Sequence, residues 1–356
     1  MGEATQLMDM TVQEFGSDFH LCFDEQFLSE ANENPFLNDR FSLFFSGRSA
    51  VYSLLQLGIL KHGWKKVFFP TYYCHEVEAF CDNLPIEILH YEFNPFVDSE
   101  EKEIDIEDEE YCVVINVTFF GLKRLKLSNL RKACIVDDVT HDILAFDKSE
   151  ADYCIGSLRK VLPLPCGGFC YSPLQKELPQ AESNAESEKL GFQKATAMFL
   201  KSEYLEGRFK QKDFYRNVFI DAESKFGDEY TAANMPSVAK GILAGLNISS
   251  IAQKKRENLA YALSRLKENR NISYNLGLQS DNALGLVLNI SNKQEQANLK
   301  AFLVSKNIYP AILWPNQITS REVESSNATL FLHVDFRYEF KGIEYITDTL
   351  NSYIAE

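Results

Sequence analysis

The sequence predicts an α/β protein: a mostly parallel central sheet flanked by helices, followed by a smaller C-terminal α+β unit. Three observations lead there. Between residues 41 and 171 short apolar runs alternate with helical stretches, the pattern of β-α-β units. Two of the runs, Tyr111 to Val117 and Ala133 to Val136, are apolar at nearly every position, as in strands covered on both faces. After about residue 246 the order becomes strand, helix, strand, strand, helix, which reads as a compact second unit.

Taken in order, Phe41 to Phe45 reads as a short strand, and Ser46-Gly47-Arg48-Ser49 turns into a helix from Ala50 to about Leu60. Val67 to Phe69 is a strand ended by Pro70, with a helix expected from Glu76 to Asn83 and a strand from Ile86 to His90. The runs at 111–117 and 133–136 bracket a candidate helix from Leu125 to Arg131. Tyr153 to Ile155 and Gly168 to Tyr171 are further strands. From Gln180 to Leu246 long charged helical segments follow, then a helix from Ser250 to Asn269. The remainder reads as strand 283–289, helix 294–306, strands 308–314 and 329–334, and helix 343–353. The domain boundary is expected near residue 246, dividing 1–246 from 247–356.

Composition narrows the function. The 356 residues carry a formal net charge of -15, which repels nucleic acid and anionic membranes, so neither is an expected partner. Much of the excess lies between Asp98 and Glu110, read as a solvated loop or helix face. No window has the length of a membrane span, and no signal peptide or myristoylation pattern is evident. The eight cysteines lack paired C-x-x-C spacing, so no metal site is expected and the default is buried thiols in a reducing cytosol.

Ligands of open α/β sheets gather at the carboxyl ends of strands, so the polar residues there are the candidates. Ser46-Gly47-Arg48-Ser49-Ala50 places small residues at a helix N-terminus, where backbone N–H groups can bind phosphate; a plain capped turn is the alternative. Asp137 and Asp138 stand where a strand runs out. An aspartate there can pair with a protonated ring nitrogen, cap a helix, or join Asp142 in a magnesium site of the DDxxxD type. Ser157-Leu-Arg-Lys160 follows the next strand: an enclosed lysine can shed its proton and attack an aldehyde, while Ser157 could bind a phosphate. Gly167-Gly168 then permits a tight loop back into a strand.

That series, in that order, resembles the fold-type I pyridoxal-phosphate (PLP) enzymes, and most closely the DegT/DnrJ/StrS aminotransferases, which mainly make amino sugars. Gly47-Arg48-Ser49-Ala50 stands at the family's phosphate-binding turn, and Pro70-Thr-Tyr-Tyr73-Cys-His75 at its Pro-x-Tyr-Thr-Phe segment. Val117-Thr-Phe-Phe-Gly121 matches Val-His-Leu-Tyr-Gly, and Asp137-Asp138-Val-Thr-His141 matches Glu-Asp-Ala-Ala-Gln. The Ser-x-x-Lys spacing departs from the family's Ser-Phe-His-x-x-Lys and resembles the amino-acid aminotransferases of the same fold. The resemblance implies that Lys160 holds PLP covalently and that Asp138 pairs with its ring nitrogen. Tyr73 would stack on the ring, His141 would lie near the ring hydroxyl, and Gly47, Arg48, Ser49 and Ser157 would hold the phosphate. Asn234 would be contributed from a neighbouring subunit of a homodimer. The implied partners are an amino-acid donor, whose carboxylate Arg337 would bind unless Arg337 pairs with Asp335, and a keto or aldehyde acceptor. Trp314 would line the substrate cleft or fill the core. Elimination or dehydration on the same cofactor, and a non-catalytic binding role, are the competing readings.

Overall fold

The computed structural model describes residues 13–22, 24–29, 34–226, 231–268, 270–278 and 280–355. Its larger unit is built from β1 (Phe41–Phe44), α1 (Gly47–His62), β2 (Lys66–Pro70), α2 (His75–Ala79), β3 (Glu87–Tyr91), β4 (Cys112–Val117), β5 (Cys134–Asp138), β6 (Tyr153–Ser157) and β7 (Gly168–Tyr171). These strands form one sheet in the order β1-β7-β6-β5-β4-β2-β3. β7 runs antiparallel to both neighbours, and the other described pairs are parallel. The carboxyl ends of β2, β4, β5 and β6 therefore share one edge. β4 is buried at every position, as its unbroken apolar run requires.

α1 begins three residues before its expected start because Ser46, not Ser49, is the cap. Ser46 is extended, and its hydroxyl accepts the Ser49 N–H at 3.2 Å. The helix stops at Gly63, whose φ of 67° suits a left-handed cap. The expected helix at 125–131 does not form. Residues at both ends of the segment, and the two that follow it, instead donate their N–H groups to the acidic run. Asp108 accepts from Arg131, Lys132 and Ala133 at 2.8–2.9 Å, and the Glu100 carbonyl accepts from Lys126 at 2.8 Å. The acidic run is thus partly a template that holds the β4–β5 connection.

α3 (Ala185–Leu205), α4 (Lys212–Ser224) and α5 (Ser237–Ala244) follow, and α3 and α4 pack on each other. The C-terminal unit comprises α6 (Ile248–Arg265), β8 (Ile272–Tyr274), β9 (Leu286–Ile290), α7 (Lys293–Ser305), α8 (Ser320–Asn327), β10 (Thr329–Leu332) and α9 (Phe340–Ala355). Its antiparallel sheet runs β10-β9-β8, over a core that includes Leu288, Leu299, Leu330 and Ile343. The expected strand at 308–314 is reduced to two isolated bridges, Ile308 with Phe15 and Ala311 with Phe331, and the chain leaves extended geometry at Trp314, φ 56°. Phe15, far off in sequence, belongs to this second core and bonds to Asn307 and Tyr309.

Candidate active site

A cavity of about 410 Å³ opens over the carboxyl ends of β2, β5 and β6, within the roughly 300–1,000 Å³ usual for small-molecule sites. Its wall includes Gly47 and Arg48 at the start of α1, Tyr73 after β2, Asp138 and His141 after β5, and Ser157 and Lys160 after β6; Trp314 comes from the C-terminal unit.

Alternation along β5 separates the two adjacent aspartates. Asp137 is fully buried, paired with Arg124 at 2.7 Å and hydrogen-bonded by Ser149. Asp138 lines the cavity: one oxygen accepts from the Tyr73 hydroxyl at 2.7 Å, the other from the Thr140 N–H at 3.0 Å. Burial raises its pKa against those two bonds. Among the described residues no Lys or Arg forms an ion pair with it. The magnesium reading fails, since Asp137, Asp138 and Asp142 do not converge on a common point.

Lys160 follows β6 on a single helical turn that brings it to the cavity wall. It is accessible inside the cavity while protein surrounds it. The adjacent Arg159 charge, then burial, lower its pKa, which makes the neutral amine easier to reach. Arg159 bonds to Glu223 on α4 at 3.2 Å, and Lys194 on α3 bonds the same carboxylate. Burial brings Lys194 down to about 8. Burial would raise Glu223, but Arg159 and Lys194 hold it at about 2.

The start of α1 faces the same space. Gly47 lies so close to Ser157 that an added Cβ would sit 3.1 Å from the serine Cβ. Arg48 lines the cavity and lies 3.6 Å from Glu76. Ser49 differs from the expectation: it is fully buried, its hydroxyl 3.0 Å from that of Ser46, and Ser46 is the serine that lines the cavity. The role of the glycine pair also differs. Gly167 has φ 140°, and a Cβ on Gly168 would lie 2.1 Å from the Ser46 carbonyl oxygen. The pair lets β7 pass against the α1 cap, and neither glycine lines the cavity.

The aromatic side of the cavity is a stack. The His141 ring lies 5.2 Å from Trp314 at 19° and 5.6 Å from Phe120 at 12°. Its Nδ1 accepts the Phe120 N–H at 3.0 Å, so the neutral ring carries its proton on Nε2, and burial lowers its pKa to about 3. Phe120 and Trp314 both hold left-handed backbone, φ 57° and 56°, which is unusual for such residues and marks a constrained site. Tyr73, only 1 % exposed, spends its hydroxyl on Asp138 and stacks on Phe69, which makes it a positioning residue for the carboxylate.

One expected residue lies elsewhere. Arg337 is buried and forks onto Asp335 at 2.9 and 2.8 Å, with its remaining amine on the carbonyls of Ser17 and Asp18. It does not line the cavity, so the structural pair with Asp335 is the one that forms. Asn234, expected to serve the site of a neighbouring subunit, lies beside β1, bridged to Phe44, and outside this chain's own cavity. Sequence reading missed Asp18 and Phe19, the Lys194–Glu223 pair, and His75 and His333, all of which line it. These come from segments far apart in the chain, and no spacing signal links them.

No protein-family model matches the sequence, and no curated protein does. Solved structures do match, and they define a fold class: the mixed sheet and its helices follow the fold of several aminotransferase structures. Spr1654 of Streptococcus pneumoniae, described as a putative sugar aminotransferase in its PMP form, aligns over 96 % of this chain and 98 % of its own, with TM-score 0.55 and 12 % identity. Helicobacter pylori PseC, an aminotransferase of pseudoaminic acid biosynthesis, aligns over 96 % and 99 %, with TM-score 0.55 and 12 % identity. NtdA of Bacillus subtilis, solved with bound cofactor PMP, aligns over 89 % and 73 %, with TM-score 0.58 and 13 % identity. At such identities the likeness establishes the fold.

Proposed function

We propose that this protein is a PLP-dependent aminotransferase that moves an amino group from an amino-acid donor to a keto or aldehyde acceptor, with a keto sugar as the acceptor class. The observation that carries the reading is that Lys160 and Asp138, from the ends of adjacent strands, line one cavity together with the N-terminus of α1. The residues fit the cofactor. A 16-residue helix offers free N–H groups for a phosphate, Asp138 is a buried carboxylate with no cationic partner among the described residues, and Trp314 and His141 supply a flat wall. Bound there, PLP supplies an aldehyde that takes up amines and a ring that withdraws electrons.

The chain's own residues then divide the work. The Lys160 amine, eased toward its neutral form by Arg159, is the attachment point and, when freed, the carrier of a proton at Nζ. Asp138, oriented by Tyr73, would be the carboxylate that keeps a proton on the ring nitrogen. Gly47 and Ser157 would cradle the phosphate, and Arg48 and Arg159, which face Glu76 and Glu223 in the unloaded cavity, are the cations that would turn to a donor carboxylate. The named aminotransferases among the structural neighbours support the sugar acceptor. A homodimer in a reducing cytosol completes the reading. Exposed Phe192, Phe214 and Ile220 on α3 and α4 supply apolar surface for an interface, and the eight cysteines are free thiols.

The test is spectroscopic. Added PLP should give a visible band that borohydride fixes as a covalent mass on the peptide containing Lys160, and an amino acid such as glutamate should then bleach the band. Labelling of a different lysine, or no band at all, overturns the assignment.

A further inference from the structure

A second cluster lies on the outer side of this cavity and takes no part in the proposed reaction. His75 and Glu78 stand one turn apart on α2, and His90 faces them from β3. The Glu78 Oε2 lies 3.0 Å from His75 Nδ1 and 2.8 Å from His90 Nε2, and all three atoms fall within 4.8 Å of one another. The two imidazoles meet at 5.9 Å in an edge-to-face arrangement.

Hydrogen bonding alone leaves this cluster unfinished. Glu78 is only 6 % exposed, yet its Oε1 has no partner, and neither has the buried Nε2 of His75. A buried carboxylate with one bare oxygen is costly unless a positive charge sits against it. We propose that His75, Glu78 and His90 bind a zinc-class divalent cation, which clamps α2 to β3 beside the cavity. Two imidazole nitrogens and one carboxylate oxygen suit such an ion, at about 2.0–2.2 Å each. Those lengths place tetrahedral ligands about 3.3 Å apart, so the two Glu78 separations have only to lengthen slightly while the imidazole nitrogens, already within 4.8 Å of each other, settle at that spacing. The fourth position is left for water. His90, whose side chain is 35 % exposed, gives the ion its route from solvent. Because His75 also lines the cavity, the ion would hold the turn that carries Tyr73 and Cys74.

The test uses the full chain, stripped with a chelator and returned to metal-free buffer. Zinc ion alone should bind at one per chain by equilibrium dialysis with elemental analysis, raise the melting temperature, and be replaceable by cobalt ion with the visible bands of a tetrahedral site. His90→Gln keeps a hydrogen-bond donor for Glu78 on a partly exposed side chain but removes the ligand. It should weaken zinc by more than about 100-fold, beyond the roughly 10–100-fold that loss of a supporting group costs. Glu78→Gln should do the same while circular dichroism reports an intact fold. Lys160→Ala should bind zinc as the unaltered protein does, which separates this site from any metal held by the cofactor. Absence of stoichiometric zinc, or unchanged affinity in His90→Gln with the ion on cysteines instead, overturns the proposal.

Discussion

Replacing Asp138 with asparagine separates catalysis from folding. In the unloaded protein the carboxylate is buried, and burial raises its pKa above the unfolded value. A carboxyl raised in this way contributes stability at low pH that is lost as pH rises through its folded pKa, so at neutral pH the charge is a strain on the fold. An amide relieves that strain. Its oxygen can still accept the Thr140 N–H, and the Tyr73 hydroxyl can turn to accept from the amide nitrogen. Asp138→Asn should therefore melt at the same temperature as the unaltered protein or higher. With cofactor bound, the same change leaves a protonated ring nitrogen without its counter-charge. Removing one partner of a buried ion pair costs about 3–5 kcal/mol, and at about 1.4 kcal/mol per tenfold the amino-transfer half-reaction should slow by roughly 100-fold to several thousand-fold. Single-turnover absorbance with an amino-acid donor measures the rate, and differential scanning calorimetry of the unloaded protein measures stability. A rate within about tenfold of normal, or a clear drop in melting temperature, would refute the placement of Asp138 against the ring.

Three further outcomes follow from packing and charge. Gly168→Ala drives a Cβ into the Ser46 carbonyl, so it should cost at least the roughly 1–3 kcal/mol of core overpacking in a denaturant titration and weaken PLP binding by displacing the α1 cap. Arg337→Ala strands the buried Asp335 carboxylate; about 3–5 kcal/mol of stability should be lost, while KM for the amino donor stays unchanged if the arginine is structural. Burial holds His20 and His141 at about 3 and His333 at about 4, below the ordinary value near 6.5. Their stabilising effect is present above pH 6.5 and lost as pH falls toward those values, by about 1.4 kcal/mol per pH unit for each ring. Denaturant midpoints between pH 7 and 5 should show that slope, and His141→Gln should reduce it by one proton.

Short-range patterning made much of this protein legible before any coordinates. Apolar runs are strands because a parallel sheet covered on both faces admits little else, and the runs of β4 and β5 are legible on that ground. Lys160 and Asp138 stood out because residues at strand ends are where an open sheet places ligands. Local pattern failed where long-range bonds compete with it. The segment 125–131 has helical composition, yet Glu100 takes the Lys126 N–H and Asp108 that of Arg131. Arg337 followed a strand as a ligand residue would, yet its fork closes on a neighbour two residues away.

By itself, then, the sequence determined the alternation of strand and helix, the order of the chemical groups along the chain, and the strand ends at which they emerge, because these depend on neighbours a few residues apart. Tertiary structure alone decided which groups share a space. It turned Asp137 into the core and Asp138 into the cavity, set Trp314 against His141 across 173 residues of chain, and brought α3 and α4 over Lys160. Such meetings follow from strand order and helix packing, where one residue's partners are chosen by the burial of many others, and no spacing along the chain records that choice.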